Sequence, residues 1–198
     1  RHHGGRTAHL PALDDVQFLG VPHDAKRAGL SAFPLVVTAV ARYRQAMRIA
    51  LYQPDIPQNT GTILRLCACL DVEAHIIEPA GFPISDRHFR RAGMDYLDQV
   101  SIVRHISWRH FDEWRREAGH KLALFTTKGA EPYLTHSYSD NEILLFGRES
   151  AGVPEDVAAA SDSRVVIPMR ESLRSINLAM TVAMALGEAL RQTRGPNA

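Results

Sequence analysis

Cysteine is scarce in this chain: only Cys67 and Cys69 occur in 198 residues. Their spacing puts them on different faces of a predicted helix, and no second Cys/His pair completes a zinc set. Ten histidines supply no i, i+4 ligand pair beside a carboxylate, so two reduced thiols and no metal are expected. Long apolar runs are also missing. Ala32–Val40 is short of the roughly 20 residues a bilayer requires and too far from the N-terminus for a secretory signal. No membrane partner and a cytoplasmic location are expected. There are no internal repeats, no glycine dinucleotide fingerprint after the first strand, and no Gly-Lys-Ser/Thr of a P-loop, which sets a nucleotide-binding dehydrogenase far down the order. Charge of one sign is lacking as well. The formal net charge is +1, and six Lys/Arg against three Asp in residues 1–46 leave 17 basic and 19 acidic residues after Ala46. A core so balanced is no bulk electrostatic binder of nucleic acid, and any RNA contact must come from a local cluster or a groove made by a dimer.

What is present falls into two parts. Arg1–Gly29 mixes His, Gly, Pro and charge without periodicity, and the sequence starts Arg-His-His rather than Met. Residues 1–46 are expected as an N-terminal extension, largely disordered or an expression-derived leader, and 47–198 as the functional domain. From Met47 strands and helices alternate. Strands are predicted at Arg48–Tyr52, Glu73–Glu78, Ser101–His105, Lys121–Thr127, Glu142–Gly147 and Arg164–Ile167. Helices are predicted from an Asn59 cap to about Leu70, at Asp86–Arg91, at Ser107–Ala118 with Trp108, Phe111 and Trp114 near one face, and from Ser175 to about Thr193. Such alternation indicates an α/β fold with a mostly parallel sheet flanked by helices. The last helix is apolar around its circumference from Ile176 to Leu186, so it lies either against another subunit or in the centre of the core.

Three polar, turn-forming segments carry the candidate chemistry. Asn59-Thr-Gly-Thr-Ile-Leu-Arg65 opens a helix whose free N–H groups suit an anion, and Arg65 offers a guanidinium. Phe146-Gly-Arg-Glu-Ser-Ala-Gly152 follows a buried strand, at the end where α/β proteins bind ligands. Ile167-Pro-Met-Arg-Glu-Ser-Leu-Arg-Ser175-Ile-Asn177 leads into the final helix, with Ser175 able to cap it and Asn177 offering both donor and acceptor. Singly, each also reads as an ordinary capped helix or turn.

In this order and spacing the three resemble the SPOUT methyltransferases of the SpoU branch: Asn59, Gly61 and Arg65; Gly147, Glu149 and Gly152; Ile167, Pro168, Met169, Ser175 and Asn177. The segments 51–59, 77–79, 90–96 and 126–129 are similar to the minimal TrmL (YibK-type) group of that family. The resemblance implies a C-terminal trefoil knot, an arrangement that ordinary rules of chain topology exclude. It implies a homodimer, S-adenosylmethionine as co-substrate and tRNA as partner, with 2′-O-methylation of the wobble nucleotide of leucine tRNAs. By the same resemblance Phe125, Gly147, Glu149, Ile167, Met169 and Ser175 would hold the donor. Arg65, Ser175 and Asn177 would serve the target ribose, and Asn59, Arg90, Arg91, Tyr96 and Arg148 would contact RNA. Many TrmL-like sequences carry Ser-Asn where this chain has Ala179 and Met180, and a Tyr where it has Gly187. Competing readings are a 2′-O-methyltransferase of another RNA or tRNA position, and a non-catalytic RNA-binding protein of the same fold.

Overall fold

The computed structural model describes residues 47–83, 100–129 and 131–194. The expected extension 1–46, the helix predicted at 86–91 and the candidates Arg90, Arg91 and Tyr96 lie outside the described residues.

The elements run β1 (Arg48–Tyr52), α1 (Pro57–Leu70), β2 (Glu73–Ile77), β3 (Ile102–His105), α2 (Trp108–Glu117), β4 (Lys121–Phe125), β5 (Glu131–Pro132), β6 (Glu142–Phe146), α3 (Glu155–Ala159), β7 (Ser163–Val166) and α4 (Leu178–Arg194). The strands form one sheet in the order β3-β2-β1-β6-β4-β7-β5. Every pairing is parallel, the arrangement that alternating strands and helices predict. All five residues of β1 and of β6 are buried, as expected for central strands covered on both faces.

Alternation along the strands divides the core. Ile49, Leu51, Leu144, Phe146 and Val165 share one face with Ile63, Leu64 and Cys67 of α1 and Val182, Ala185 and Leu186 of α4. Ala50, Tyr52, Leu122, Leu124 and Leu145 face the other way, onto Phe111 of α2 and Val157 of α3. Trp108 and Trp114 pack on that second cluster, so the predicted aromatic face of α2 is its buried face. Cys67 is buried and Cys69 exposed, on different faces of α1.

Two helix starts differ from expectation. In α1 the capping position is Ile56 and Pro57 opens the helix. Proline suits that first position because it has no N–H to lose and its φ is preset. Asn59 therefore sits inside the first turn, buried, and does not cap. In α4 the helix begins at Leu178. Asn177, not Ser175, caps it: its Oδ1 accepts from the N–H of Ala179 at 2.9 Å and of Met180 at 3.4 Å. Strands 2, 4, 6 and 7 each stop short of the predicted end, and the two-residue β5 and five-residue α3 are additional. The final helix is covered along Ala179, Val182, Ala185, Leu186 and Ala189, while Met180 and Met184 are 58% and 37% exposed. Among the described residues no helix is long and apolar enough to cross a membrane.

The covered edge of the sheet holds a ladder of histidines. His75 Nδ1 lies 2.9 Å from His105 Nε2 and His75 Nε2 lies 3.1 Å from Glu73 Oε1. His105 Nδ1 meets His110 Nδ1 at 3.3 Å, and Trp114 and Phe111 close over the rings. Burial, then the charges of His75 and His110, pull the His105 imidazole down to about 4. A histidine lowered in the folded state stabilises above its unfolded value of 6.5, and that stability is lost as pH falls from there towards 4. Glu73 is held to about 2, first by its bond from His75, so its loss belongs below pH 4.5. The carboxyls raised by burial, Glu142 and Glu149, slope the opposite way. Melting at pH 6.5 and 4.5 should show a loss of about 2 kcal/mol, roughly 5 °C in Tm, traceable to His105. His105→Gln should flatten that slope; an unchanged slope would count against the assignment.

Candidate functional site

Strands β1, β6, β4 and β7 are consecutive in the sheet and parallel, so their carboxyl ends open on one side. The loops that leave them, 53–56, 147–154, 126–129 and 167–177, meet around a cavity of about 650 Å³. Its volume falls within the roughly 300–1,000 Å³ usual for small-molecule sites. Phe125, Gly147, Glu149, Ile167, Met169 and Ser175, the six candidates for the donor, all line it. Asn59, Arg148 and Asn177 line it too. Arg65 does not. It is exposed on α1, six residues and about 9 Å of helix rise beyond Asn59.

The apolar wall is built from the sheet. Phe125 closes β4 and stacks on Phe146 of β6, with ring centroids 5.0 Å apart and planes at 21°. Ile167 continues the wall one residue beyond β7 and is buried. Two glycines let backbone pack against backbone here. A Cβ on Gly147 would lie 2.6 Å from the carbonyl carbon of Gly152, and one on Gly129 would lie 2.7 Å from that of Val165. The loop after β6 closes on itself: Arg148 N–H donates to Gly152 O at 3.0 Å, and Gly152 N–H to Arg148 O at 2.8 Å. Gly152 takes φ +68, in the left-handed region that favours glycine.

The polar wall joins the three motif segments directly. Asn59 Nδ2 donates to Glu149 Oε1 at 3.1 Å, and Asn177 Nδ2 donates to Asn59 Oδ1 at 2.9 Å. The two ends fix the amide orientations. A carboxylate can only accept from Asn59, and the helix N–H groups can only donate to Asn177, so each amide must point as it does. One hydrogen of the Asn177 amide is thereby engaged. Ser175 stands two residues before the cap, exposed on the cavity wall.

Beneath Glu149 lies Asp55, from the loop after β1. Asp55 N–H donates to Glu149 Oε2 at 3.1 Å and Glu149 N–H returns a bond to Asp55 Oδ1 at 3.2 Å. Ser150 Oγ donates to Asp55 Oδ2, and Arg148 Nε lies 3.5 Å from the same oxygen. Bonding with Glu149 first, then Ser150 and the Arg148 charge, holds Asp55 down to about 2, although burial opposes this. Burial, with Asp55 beside it, pushes Glu149 upward. Asp55 thus keeps its negative charge, facing the guanidinium. Lys128, Arg148, Arg164 and Arg174 also border the cavity against Glu149 and Glu155, giving the local basic cluster that the overall charge balance withholds.

Sequence reasoning overlooked Asp55, Gly129 and Arg174. Asp55 carried the most readable signal, a carboxylate between two prolines in the turn that leaves the first strand at its ligand-binding end. Its partners, 94 and 95 residues away, are not.

The model of the SpoU rRNA methylase family matches residues 46–187. A tRNA (cytidine(34)-2′-O)-methyltransferase of Beijerinckia indica is 65% identical over 144 residues, covering 73% of this chain and 90% of the relative. A solved structure described as structural insights into the 2-OH methylation of C/U34 on tRNA shares 38% identity with TM-score 0.70, covering 75% of this chain and 97% of the other. An AdoMet-bound rRNA methyltransferase of Sinorhizobium meliloti shares 28% identity with TM-score 0.67, over 74% of this chain and 56% of the other.

Proposed function

The chain belongs to the SpoU rRNA methylase family, and from that premise we propose that it is a tRNA (cytidine/uridine(34)-2′-O)-methyltransferase. Its methyl donor is S-adenosylmethionine and its substrates are leucine tRNAs. The observation that carries this reading is the convergence of three distant motif segments on one cavity, linked through Glu149, Asn59 and Asn177. The similar proteins named for position 34 and the AdoMet-bound relative support the substrate and the donor.

The cavity suits such a donor on its own chemistry. Phe125 and Ile167 offer apolar surface to a purine ring, and tightly apposed loop backbone around Gly147 and Gly152 offers N–H and C=O groups to its edge and ribose. When bound, S-adenosylmethionine supplies an electrophilic methyl group on a sulfonium, already a good leaving group. The protein's task is then chiefly alignment. Asn177 keeps one amide hydrogen for the acceptor ribose, and Ser175 lines the same cavity. Glu149, tied to Asn59 and Asp55, shapes the loop. Lys128, Arg148 and Arg174 border the mouth where a phosphate backbone would lie. Arg65, outside the cavity lining, would reach RNA spanning the mouth. Arginine is a poor general base, so its role here is to hold phosphate in a fork and stabilise developing charge on oxygen. Arg65→Lys should therefore lower kcat at least about tenfold at unchanged donor affinity. Near-normal turnover would remove the fork role.

The reading extends to a C-terminal trefoil knot and a homodimer. Placement of β6 between β1 and β4, with the 147–152 and 167–177 loops on one cavity, supports the first. The exposed Met180 and Met184 on α4 support the second; Gly187 is exposed on the same helix, where a Cβ would meet nothing within 4 Å. Residues 47–198 are taken as the methyltransferase domain and 1–46 as an extension. Arg90, Arg91 and Tyr96 are taken as RNA contacts, and the cytoplasm, where tRNA is modified, as the location.

Incubation with methyl-labelled donor and total tRNA, followed by mapping of the labelled nucleotide, tests the proposal. Label on the ribose of nucleotide 34 of leucine tRNAs is expected. Label on ribosomal RNA or at another tRNA position would replace the substrate, and a protein that takes up no donor would end the reading.

A further inference from the structure

We infer that Asp55 is a positioning residue for the donor: it fastens the loop after β6 to the loop after β1 and so holds the donor cradle closed before ligand arrives. This rests on the proposed methyltransferase reading for its ligand, though not for its geometry. Four contacts meet at this one residue. Its N–H donates to the Glu149 carboxylate at 3.1 Å, and its carboxylate accepts from Glu149 N–H at 3.2 Å and from Ser150 Oγ. The Arg148 guanidinium lies 3.5 Å away. Three consecutive residues of the cradle are thus gripped by a single side chain on another loop.

The alternatives for these contacts are few. Asp55 itself is absent from the cavity lining, whereas Arg148, Glu149 and Ser150 are part of it. Asp55 therefore acts through them and touches no reactant. Within the loop, Arg148 and Gly152 are tied to each other. That closes the turn without fixing where the turn sits over the cavity. Anchoring falls to Asp55, assisted by Asn59 through the far oxygen of Glu149. Charge sharpens the effect, since hydrogen bonds to an ionised acceptor are stronger than neutral ones. A cradle held in its bound shape pays less ordering entropy on binding, so the residue should be felt in donor affinity rather than in the chemical step.

Donor titration and steady-state kinetics on the full-length chain test this, using Asp55→Ala, Asp55→Asn and Asp55→Glu with hydrogen exchange of the 147–152 amides. Asp55→Ala should raise the Kd for S-adenosylmethionine roughly tenfold to a hundredfold, the scale for losing bonds to a charged acceptor. Its kcat at saturating donor should stay within about threefold, since alignment is restored once the donor fills the site. Loop exchange should quicken even without ligand. Asp55→Asn keeps the size and one acceptor oxygen but loses the charge and the second acceptor, so it should fall between wild type and alanine. It also serves if the alanine variant does not fold. Asp55→Glu keeps the charge and should recover part of the affinity. Unchanged donor affinity and unchanged loop exchange in folded Asp55→Asn and Asp55→Ala would overturn the inference, as would a fall in kcat alone. If the wild-type protein takes up no donor, the methyltransferase reading fails instead, and loop exchange alone decides whether Asp55 is the fastening.

Discussion

Replacing Gly147 with alanine should sharply weaken donor binding while leaving most of the sheet intact. The added Cβ would sit 2.6 Å from the carbonyl carbon, 2.8 Å from the Cα and 2.9 Å from the oxygen of Gly152. All three are backbone atoms, so no side-chain rotation relieves the clash. The loop can make room only by breaking the pair of bonds between Arg148 and Gly152, at 3.0 and 2.8 Å. That would also pull Glu149 away from Asn59 and Asp55. Overpacking at a well-packed position costs about 1–3 kcal/mol, and here the strain is spent at the ligand site. Calorimetry with S-adenosylmethionine should show affinity falling roughly a hundredfold or more, since about 1.4 kcal/mol is tenfold. Circular dichroism should show secondary structure close to wild type. Binding within about threefold of wild type would mean that the loop does not form the donor site.

Asn177→Asp should separate stability from activity more cleanly than removal of the side chain would. Aspartate caps helices as well as asparagine does, so the bonds to Ala179 and Met180 survive and Tm should change little. What is lost is the donor. Asn59 Oδ1 would then face a carboxylate oxygen, and Asn59 cannot turn over, because its nitrogen is committed to Glu149. Two acceptors would meet where a 2.9 Å bond had been, with an added negative charge at the place assigned to the acceptor ribose. Methylation of tRNA should fall by about a hundredfold or more, comparable to loss of a preorganised donor in other active sites. Asn177→Ala should instead lose activity together with about 1 kcal/mol of helix capping. An Asn177→Asp enzyme of normal turnover would show that the amide chain is scaffolding alone.

These two residues also show how far sequence carries the fold and the site. Glycines and polar turns after apolar strands were legible because strand burial and turn chemistry are local, so the 147–152 turn could be set at the carboxyl end of a buried strand, while Gly147, Glu149 and Ile167 as donor contacts came from the family resemblance alone. The capping of α4 was not. Ser175 and Asn177 are both good caps, and the structure settles on the second, which also bonds a residue 118 positions away. In α1, Pro57 overrode Asn59 as the start signal, and the amide so released became the middle of the polar chain. Asp55 was hidden for the same reason, since its whole meaning lies in partners on another loop. The brevity of β5 and α3 leaves no period to detect. Arg65 shows the opposite limit: a motif residue that the fold leaves outside the cavity its motif helps to build.

Fastening the pocket across so many positions has a consequence for how the protein comes into being. Asn177 and the helix it opens come last among the described elements, while Asp55 and Asn59 belong to the loop after β1 and to α1, at their beginning. A nascent chain that has emerged through β7 holds every described strand of the sheet and the Asn59 bond to Glu149, yet the Asn59 oxygen still waits for the Asn177 amide. The polar chain is therefore complete only once α4 has followed, and a product cut short before it would leave the Asn59 oxygen unanswered and the cavity without its Ser175–Asn177 wall.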